Sequence, residues 1–225
     1  MVVTQATPQI IPCQDLDVAI EQYKARGYRL DMIFPADNPR EAIMSEPPAV
    51  AGGLSSIAMA PLERTSIRLI KSVADIQPPA TAGGSDWVTG RAGMEYRDLI
   101  PDRLAGKVIA SHIRLVQDGP VADYVHYHKI EFQMIYCLKG RIKVVYEDQG
   151  EPFWLEAADC VVQPPEIRHR VLFAEGNAEV MEVTMPAEHE TWIDHDMELP
   201  NGTVDRERLF SGQKFVLTKS PKYPG

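Results

Sequence analysis

The chain has 225 residues, of which 44% are hydrophobic and 24% charged, and its formal net charge at pH 7 is −9. This composition is typical of a globular protein with a sizeable core, arranged as one large β domain or two small ones. The negative charge, spread without a block of like charges, argues against nucleic acid or an anionic membrane as a partner.

Three further features of the sequence bear on the compartment. No segment approaches the roughly 20 apolar residues that a membrane helix needs. The N-terminus lacks the basic and apolar regions of a secretory signal. The three cysteines show no paired spacing, which suits a reducing compartment. We therefore expect a soluble cytoplasmic protein.

Residues 1–75 are predicted to form a small βαβββ domain. Asp15 is placed to cap a helix, and Gly27 is placed to end it in a left-handed conformation. The segment that follows the helix alternates apolar and polar residues, as a half-buried strand does. The predicted strands are Ile10–Ile11, Tyr28–Phe34, Glu41–Ser45 and Ser66–Ile70.

The beginning of this domain resembles a known module. Residues 14–20, followed by Tyr23, Gly27 and Tyr28, resemble the opening of a glyoxalase-type (vicinal oxygen chelate) module, and the resemblance covers residues 8–72. In that family two modules pair to form a cupped metal site. Because this chain has one such unit without the family's ligand set, we expect it to act in docking or dimerisation.

Residues 76–93 are predicted to be a linker, since they are rich in Pro, Gly and Ala and show no periodicity. Residues 94–225 contain many short apolar runs separated by turn signals, for example at Lys139–Gly140 and Asp148–Gly150. That pattern is typical of a β-sandwich or β-barrel. The predicted fold class of the whole chain is therefore α+β, with an all-β C-terminal domain.

Three histidines in this domain have the spacing of a metal site. His126 and His128 lie two residues apart on a predicted strand, so their side chains share one face. His169 follows about forty residues later, after a hairpin-like run, and an antiparallel barrel can return it beside them. Neutral imidazole is the commonest protein metal ligand, so the spacing predicts a divalent metal site.

Two spaced motifs strengthen this interpretation, because they resemble those of the cupin superfamily over residues 94–187. The first is Gly119, six residues, His126-x-His128, four residues, Gln133, six residues and Gly140; the second is Ala158, five residues, Pro164-x-Glu166, two residues and His169. The resemblance implies a small jelly-roll barrel with one divalent metal. It places the three histidines at ligand positions, and Gln133 where the family usually has a glutamate.

The residues themselves also support Gln133 as a fourth ligand. On the strand of residues 132–138 it shares a face with Ile135 and Cys137, so it is predicted to be buried. Burial of an amide without a partner costs about 1–3 kcal/mol, and a metal or a ligand would offset that cost. Glu131 is the alternative fourth ligand, but it lies off the strand pattern and is interpreted as a surface charge.

Five residues are candidate substrate contacts, because strand parity or proximity to the histidines places them near the site. They are His112, Arg114, Tyr124, Tyr136 and Arg168. An arginine that lines a barrel can hold a substrate carboxylate in a bidentate pair. His112 has a second interpretation as a structural or surface residue, which it shares with His189 and His195.

The cupin resemblance implies a metal-dependent enzyme. Our first hypothesis is a non-haem Fe(II) dioxygenase that acts on a small organic acid, phenol or diketone. Imidazole and amide donors do not choose between Fe, Zn, Mn and Ni, so an isomerase or hydrolase that uses one of the other metals is also compatible. The alternatives are a non-catalytic small-molecule-binding cupin, and a scaffold assembled through the N-terminal domain. Cupins usually dimerise, and we expect a homodimer.

Overall fold

The computed structural model describes residues 7–36, 38–46, 65–72, 87–100 and 102–221. The chain forms two compact units. The N-terminal unit comprises residues 1–34 and 39–76, and the C-terminal unit comprises residues 35–38 and 77–225. Most of the predicted linker, residues 76–93, lies outside the described residues. None of the described helices is long and apolar enough to cross a membrane.

The N-terminal unit packs one helix on a four-stranded sheet with the order β1-β4-β3-β2. Its elements are β1 (Gln9–Cys13), α1 (Leu16–Lys24), β2 (Arg29–Phe34), β3 (Glu41–Ser45) and β4 (Ser66–Lys71). Asp15 caps α1, since its carboxylate accepts a hydrogen bond of 3.0 Å from the Val18 amide. The apolar face of α1, with Leu16 and Ile20, is buried in the same core as Met44 of β3.

In its described part, the C-terminal unit consists of antiparallel strands and two short helical turns, one of which is the 3₁₀ turn Arg91–Gly93. The elements are β5 (Val88–Thr89), β6 (Glu95–Asp98), α2 (Arg103–Gly106), β7 (Ile109–Arg114), β8 (Gly119–Pro120), β9 (His126–His128), β10 (Phe132–Tyr146), β11 (Phe153–Glu156), β12 (Cys160–Val162), β13 (His169–Met185), β14 (Thr191–Ile193) and β15 (Val216–Thr218). The two long strands, β10 and β13, pair with each other and form the centre of the sheet. On the other edge of β13 lie β7, β8 and β9.

The apolar core of this unit explains why these segments form strands. Every second residue of β10 beyond Gly140, such as Ile142 and Val144, is buried against Val180 of β13 and Leu155 of β11. Period-2 burial of this kind stabilises a sheet that covers one side of a core. The core lies on the same side of the sheet as the histidines.

The predicted turn at Lys139–Gly140 is wrong. Strand β10 continues through it, because Lys139 pairs with Glu179 and Arg141 pairs with Glu175 across a register shift. Gly140 has a φ of +64°, and a Cβ there would lie 2.4 Å from the carbonyl oxygen of Glu175. The glycine therefore permits a bulge inside a long strand, and not a reversal of the chain.

Candidate metal centre

Strand pairing brings the three histidines together. His126 and His128 are the first and last residues of β9, and His169 is the first residue of β13. In the β9–β13 pair, His169 lies opposite His126. The potential ligand atoms of the three side chains all lie within 4.8 Å of one another, and all three residues are buried. The convergence that the spacing predicts is therefore present in the fold.

Hydrogen bonds hold each imidazole ring in one orientation. The Nδ1 atom of His126 lies 2.8 Å from the carbonyl oxygen of Tyr124, and that of His169 lies 3.0 Å from the carbonyl oxygen of Ile167. The Nδ1 atom of His128 lies 2.8 Å from the hydroxyl oxygen of Thr191. With Nδ1 engaged at the periphery, the three Nε2 atoms remain for the centre. Metal-binding histidines are oriented by outer hydrogen bonds of this kind.

The surroundings keep the imidazoles neutral. Burial, followed by the positive charge of Arg91 and by the imidazole of His169, holds the pKa of His126 well below its ordinary value. Burial and the other histidines do the same to the pKa of His128. Burial lowers the pKa of His169 to about 4. At neutral pH all three rings therefore offer the lone pairs that a metal ion requires.

One unsatisfied atom shows that the site fits a cation. The Nε2 atom of His126 is buried and has no hydrogen-bond partner. A buried polar atom without a partner is costly, and a divalent metal ion at the centre of the three rings would satisfy it. Three neutral nitrogen donors suit Fe, Zn, Ni or Mn better than they suit Mg or Ca, which prefer oxygen.

Gln133 is fully buried, as its position on β10 predicts. Its Oε1 atom accepts a hydrogen bond of 2.6 Å from Nε2 of Gln163, and its own Nε2 atom has no partner. Nε2 of Gln163 also lies 3.3 Å from Nε2 of His169. Gln133 is thus linked to the histidine centre through a second amide. Glu131 is exposed, as expected for a surface charge.

Sequence reasoning missed two buried residues beside the centre, Gln163 and His189. Gln163 is 1% exposed, and its Oε1 atom accepts a hydrogen bond of 2.9 Å from the hydroxyl of Tyr146. The parity argument that found Gln133 would also have found Gln163, which follows the apolar run of β12. His189 is buried, with its ring centroid 5.3 Å from that of His128. No spacing signal in the sequence marks His189.

A cavity of about 60 Å³ adjoins the histidines, and both His128 and His169 line it. Most of its wall is aliphatic, with Ile113, Ile142 and Val144 among the lining residues. Such walls exclude water and strengthen the electrostatic interactions inside.

Three charged residues, Arg91, Arg170 and Glu182, are also among those that line the cavity. Arg91 is paired with the fully buried carboxylate of Asp123. Burial alone would lower the pKa of Arg91, but the charge of Asp123 outweighs that effect and raises it. The second carboxylate oxygen of Asp123 accepts a hydrogen bond of 3.0 Å from the Val171 amide, so the pair joins two parts of the site.

The structure places the predicted substrate contacts of β7 away from this cavity. His112 and Arg114 do share one face of β7, but Ile109, Ser111 and Ile113 form the side that lines the cavity. His112 hydrogen-bonds instead to Glu179 through Nε2, at 2.7 Å. Arg114 is paired with Glu95, and its guanidinium lies 3.9 Å from the ring centroid of Trp87.

The other three candidate contacts also lie outside the residues that line the cavity. Tyr124 packs against His126, with ring centroids 5.8 Å apart. Its backbone carbonyl oxygen contacts Nδ1 of His126 and so orients that ring. Tyr136 lies on the face of β10 opposite Gln133. Arg168 is paired with Asp194 at 3.0 Å. Parity shows which residues share a face, but the core decides which face is internal.

Comparison with known proteins agrees with this geometry. Residues 113–185 match the family model described as "Cupin domain". This segment is similar to a cupin domain. It contains all three histidines and Gln133, and it extends from β7 to the end of β13. The match does not reach residues 8–72, and the glyoxalase-like nature of that unit stays a prediction.

No curated protein sequence matches the chain. Among solved structures, the chain is similar to KdgF from Halomonas sp., at 18% identity and a TM-score of 0.38 over 48% of this chain and 94% of that one. An RmlC-like cupin from Shewanella frigidimarina matches at 22% identity and a TM-score of 0.39, over 49% and 94%. The polyketide cyclase RemF from Streptomyces resistomycificus matches at 18% identity and a TM-score of 0.43, over 56% and 90%.

Proposed function

We propose that the C-terminal unit binds one divalent metal ion through His126, His128 and His169, and that it is a non-haem iron dioxygenase for a small organic molecule. The observation that carries the proposal is the convergence of three buried, neutral imidazoles whose Nδ1 atoms are all engaged elsewhere. Fe(II) is the favoured ion, and Zn, Mn or Ni remain candidates.

When bound, the metal would bring substrate and dioxygen together and transfer electrons between them. The residues of the chain prepare the site for that chemistry. Tyr124, Thr191 and Ile167 hold the three rings, and the aliphatic walls of the cavity exclude water from the reacting groups. Gln133 is proposed as the residue that completes or gates a fourth position.

Elemental analysis of purified protein, before and after reconstitution with Fe(II), tests the metal site. We expect about one equivalent of metal in the wild type, its loss in His128→Ala, and its retention in a control that alters an exposed histidine, His195→Ala. Iron would then justify a screen for substrate-dependent oxygen consumption. Absence of metal from the reconstituted wild type would refute the proposal.

A second candidate function is non-catalytic binding of a small molecule in the same cavity. Gln133 supplies a neutral amide where cupins usually have a carboxylate, and Gln163 directs an N–H group at His169. Both features weaken the case for a tightly held catalytic metal. Binding of a ligand without any oxygen consumption in the iron-loaded protein would favour this function over the dioxygenase.

We also propose that the protein is a cytoplasmic homodimer. The support is the expectation that cupins dimerise and that the N-terminal unit provides a docking face. Light scattering of the full chain measures its mass in solution. A monomer at micromolar concentration would contradict the homodimer.

A further inference from the structure

Arg91 is held beside the cavity by an ion pair that the proposed function does not use. It begins the 3₁₀ turn Arg91–Gly93, and its Nη1 atom donates a hydrogen bond to Oδ1 of Asp123. The side chain of Asp123 is fully buried, and its Oδ2 atom accepts a hydrogen bond from the Val171 amide. Asp123 is therefore fixed by the fold, and it fixes the position of the guanidinium in turn.

The positive charge of Arg91 acts on the histidine centre. Arg91 lines the cavity together with His128 and His169. Burial is the largest cause of the low pKa of each of the three histidines, and the charge of Arg91 is a further cause at every one of them. At His169 the charge of Asp123 raises the pKa, but by less than Arg91 lowers it. The ion pair therefore leaves a positive field at the centre.

One side of the guanidinium remains for a ligand. Asp123 takes Nη1, whereas the N–H groups of Nε and Nη2 point in parallel along another side of the planar group, as the two donors of a bidentate carboxylate pair do. Within the described ranges, neither Nε nor Nη2 of Arg91 has a hydrogen-bond acceptor, and neither atom is completely buried. The side chain as a whole is 15% exposed. Because a guanidinium stays charged at any pH that a protein tolerates, these two donors suit an anion.

The cavity also limits the size and the charge of its occupant. One water molecule needs about 10–15 Å³ of such space, so about 60 Å³ holds roughly four to six groups of that size. The wall is mostly aliphatic and favours an apolar body. Burial, followed by the negative charge of Glu182, raises the pKa of Tyr146, and both residues line the cavity. The carboxylate of Glu182 would therefore repel a second negative charge.

We propose that the cavity binds a small monocarboxylate, with its two carboxylate oxygens on Nε and Nη2 of Arg91 and its apolar body against residues such as Ile113 and Val144. This inference rests on the proposed function only in taking the bound acid to be the substrate. A fixed positive charge beside a divalent metal ion is unfavourable, and the bound anion would offset it. The donors of Arg91 are present without the metal, so the binding is tested apart from the metal centre.

The test is an NMR titration, at pH 7, of full-length protein that has been stripped of metal on a chelating resin. Three probes of equal chain length are compared: propionate, its neutral amide propionamide, and malonate, in which a second carboxylate replaces the methyl group. We expect propionate to bind at least about tenfold more tightly than propionamide, as a charge-assisted pair requires, and more tightly than malonate.

The variants separate the donors of Arg91 from its role in the ion pair. Arg91→Lys keeps a positive charge for Asp123 without the parallel donors, and should weaken propionate binding at least about tenfold while propionamide is unchanged. Arg91→Gln alone would leave the buried carboxylate of Asp123 without a counter-charge, so it is combined with Asp123→Asn. This double variant should lose the preference for propionate over propionamide. The control is Arg114→Lys, on an arginine that is paired with Glu95 outside the cavity, and it should bind propionate as the wild type does.

Several results would overturn the inference: no propionate binding to the wild type, propionamide binding as tightly as propionate, or wild-type affinity for propionate in either Arg91 variant. Tighter binding of malonate would overturn the restriction to monocarboxylates. If neither Arg91 variant folds, a crystal of the wild type with propionate decides the matter, since a carboxylate on Arg91 supports the inference and one elsewhere refutes it.

Metal analysis distinguishes the failure of this inference from the failure of the proposed function. Protein that takes up no metal but binds propionate through Arg91 would defeat the proposed function alone. Protein that takes up metal but does not bind propionate in the metal-free titration would defeat this inference alone.

Discussion

The amide of Gln163 gives the sharpest prediction about the interior of the site. Gln163→Met keeps a side chain of similar length but removes its hydrogen bonds. The hydroxyl of Tyr146 and Oε1 of Gln133 would each lose the one partner that the structure shows for them. A buried polar group without a partner costs about 1–3 kcal/mol. For two such groups, we expect the free energy of unfolding to fall by about 2–6 kcal/mol.

A second substitution, Tyr146→Phe, should change the free energy of unfolding in opposite directions in the wild type and in the Gln163→Met variant. In the wild type, Tyr146→Phe leaves Oε1 of Gln163 without its donor and should cost about 1–3 kcal/mol. In the Gln163→Met background, the same change removes a hydroxyl that already has no partner. In that background, Tyr146→Phe should raise the free energy of unfolding by about 1–3 kcal/mol.

Urea unfolding of the metal-stripped protein at pH 7, followed by tryptophan fluorescence, measures these differences. The chain has three tryptophans, and all of them lie in the C-terminal unit, so the signal reports on the relevant core. If Tyr146→Phe destabilises both backgrounds equally, the hydrogen bond to Gln163 does not contribute and the reasoning is refuted. A loss below about 1 kcal/mol for Gln163→Met would refute it as well.

Three further predictions concern the bulge, the orientation of one ligand, and a buried carboxylate. Gly140→Ala adds a Cβ that lies 2.4 Å from a backbone oxygen, in addition to the ~1–2 kcal/mol cost of a positive φ. In urea unfolding it should destabilise more than Gly202→Ala, which has a φ of +72° and open space. Thr191→Val removes the hydrogen bond to His128 and should weaken metal affinity about 10–100-fold, measured by competition with a chelator. Asp159→Asn should cost about 1–3 kcal/mol at pH 7. Burial raises the pKa of Asp159, but hydrogen bonds from a lysine and two backbone N–H groups outweigh it and hold the pKa below its ordinary value. The stability that Asp159 contributes is therefore complete above the ordinary pKa and is lost as the pH falls through the lower folded pKa, so the cost of Asp159→Asn should shrink as the solution is acidified.

Matched control variants separate these specific effects on metal affinity and stability from a nonspecific loss of stability. Thr184→Val should leave metal affinity unchanged, because the buried Thr184 hydroxyl has no partner to lose. Equal losses for it and Thr191→Val would contradict the orienting role. Asp196 is exposed, and Asp196→Asn should change stability little at any pH. A cost of Asp159→Asn that does not vary with pH, or equal effects at Gly140 and Gly202, would contradict the other two predictions.

The sequence by itself determined the local parts of this structure. Backbone geometry places residues i and i+2 of a strand on one face, so the spacing of His126 and His128 was sufficient to predict that they act together. The same rule predicted the burial of Gln133. Asp15 predicted the start of α1, because the capping hydrogen bond spans three residues. Each of these inferences depends on atoms that are close along the chain.

Only the tertiary structure decided between two structures where a local sequence pattern was compatible with both. Gly140 predicts a left-handed residue in either a turn or a bulge, and pairing with β13 on both sides makes it a bulge. His112 and Arg114 must share a face, but the packing of β7 over the core turns that face outward. Arg168 lies next to His169 in the sequence, but it pairs with Asp194 and does not line the cavity. Inside and outside are set by contacts between residues far apart in sequence, and no local spacing encodes them.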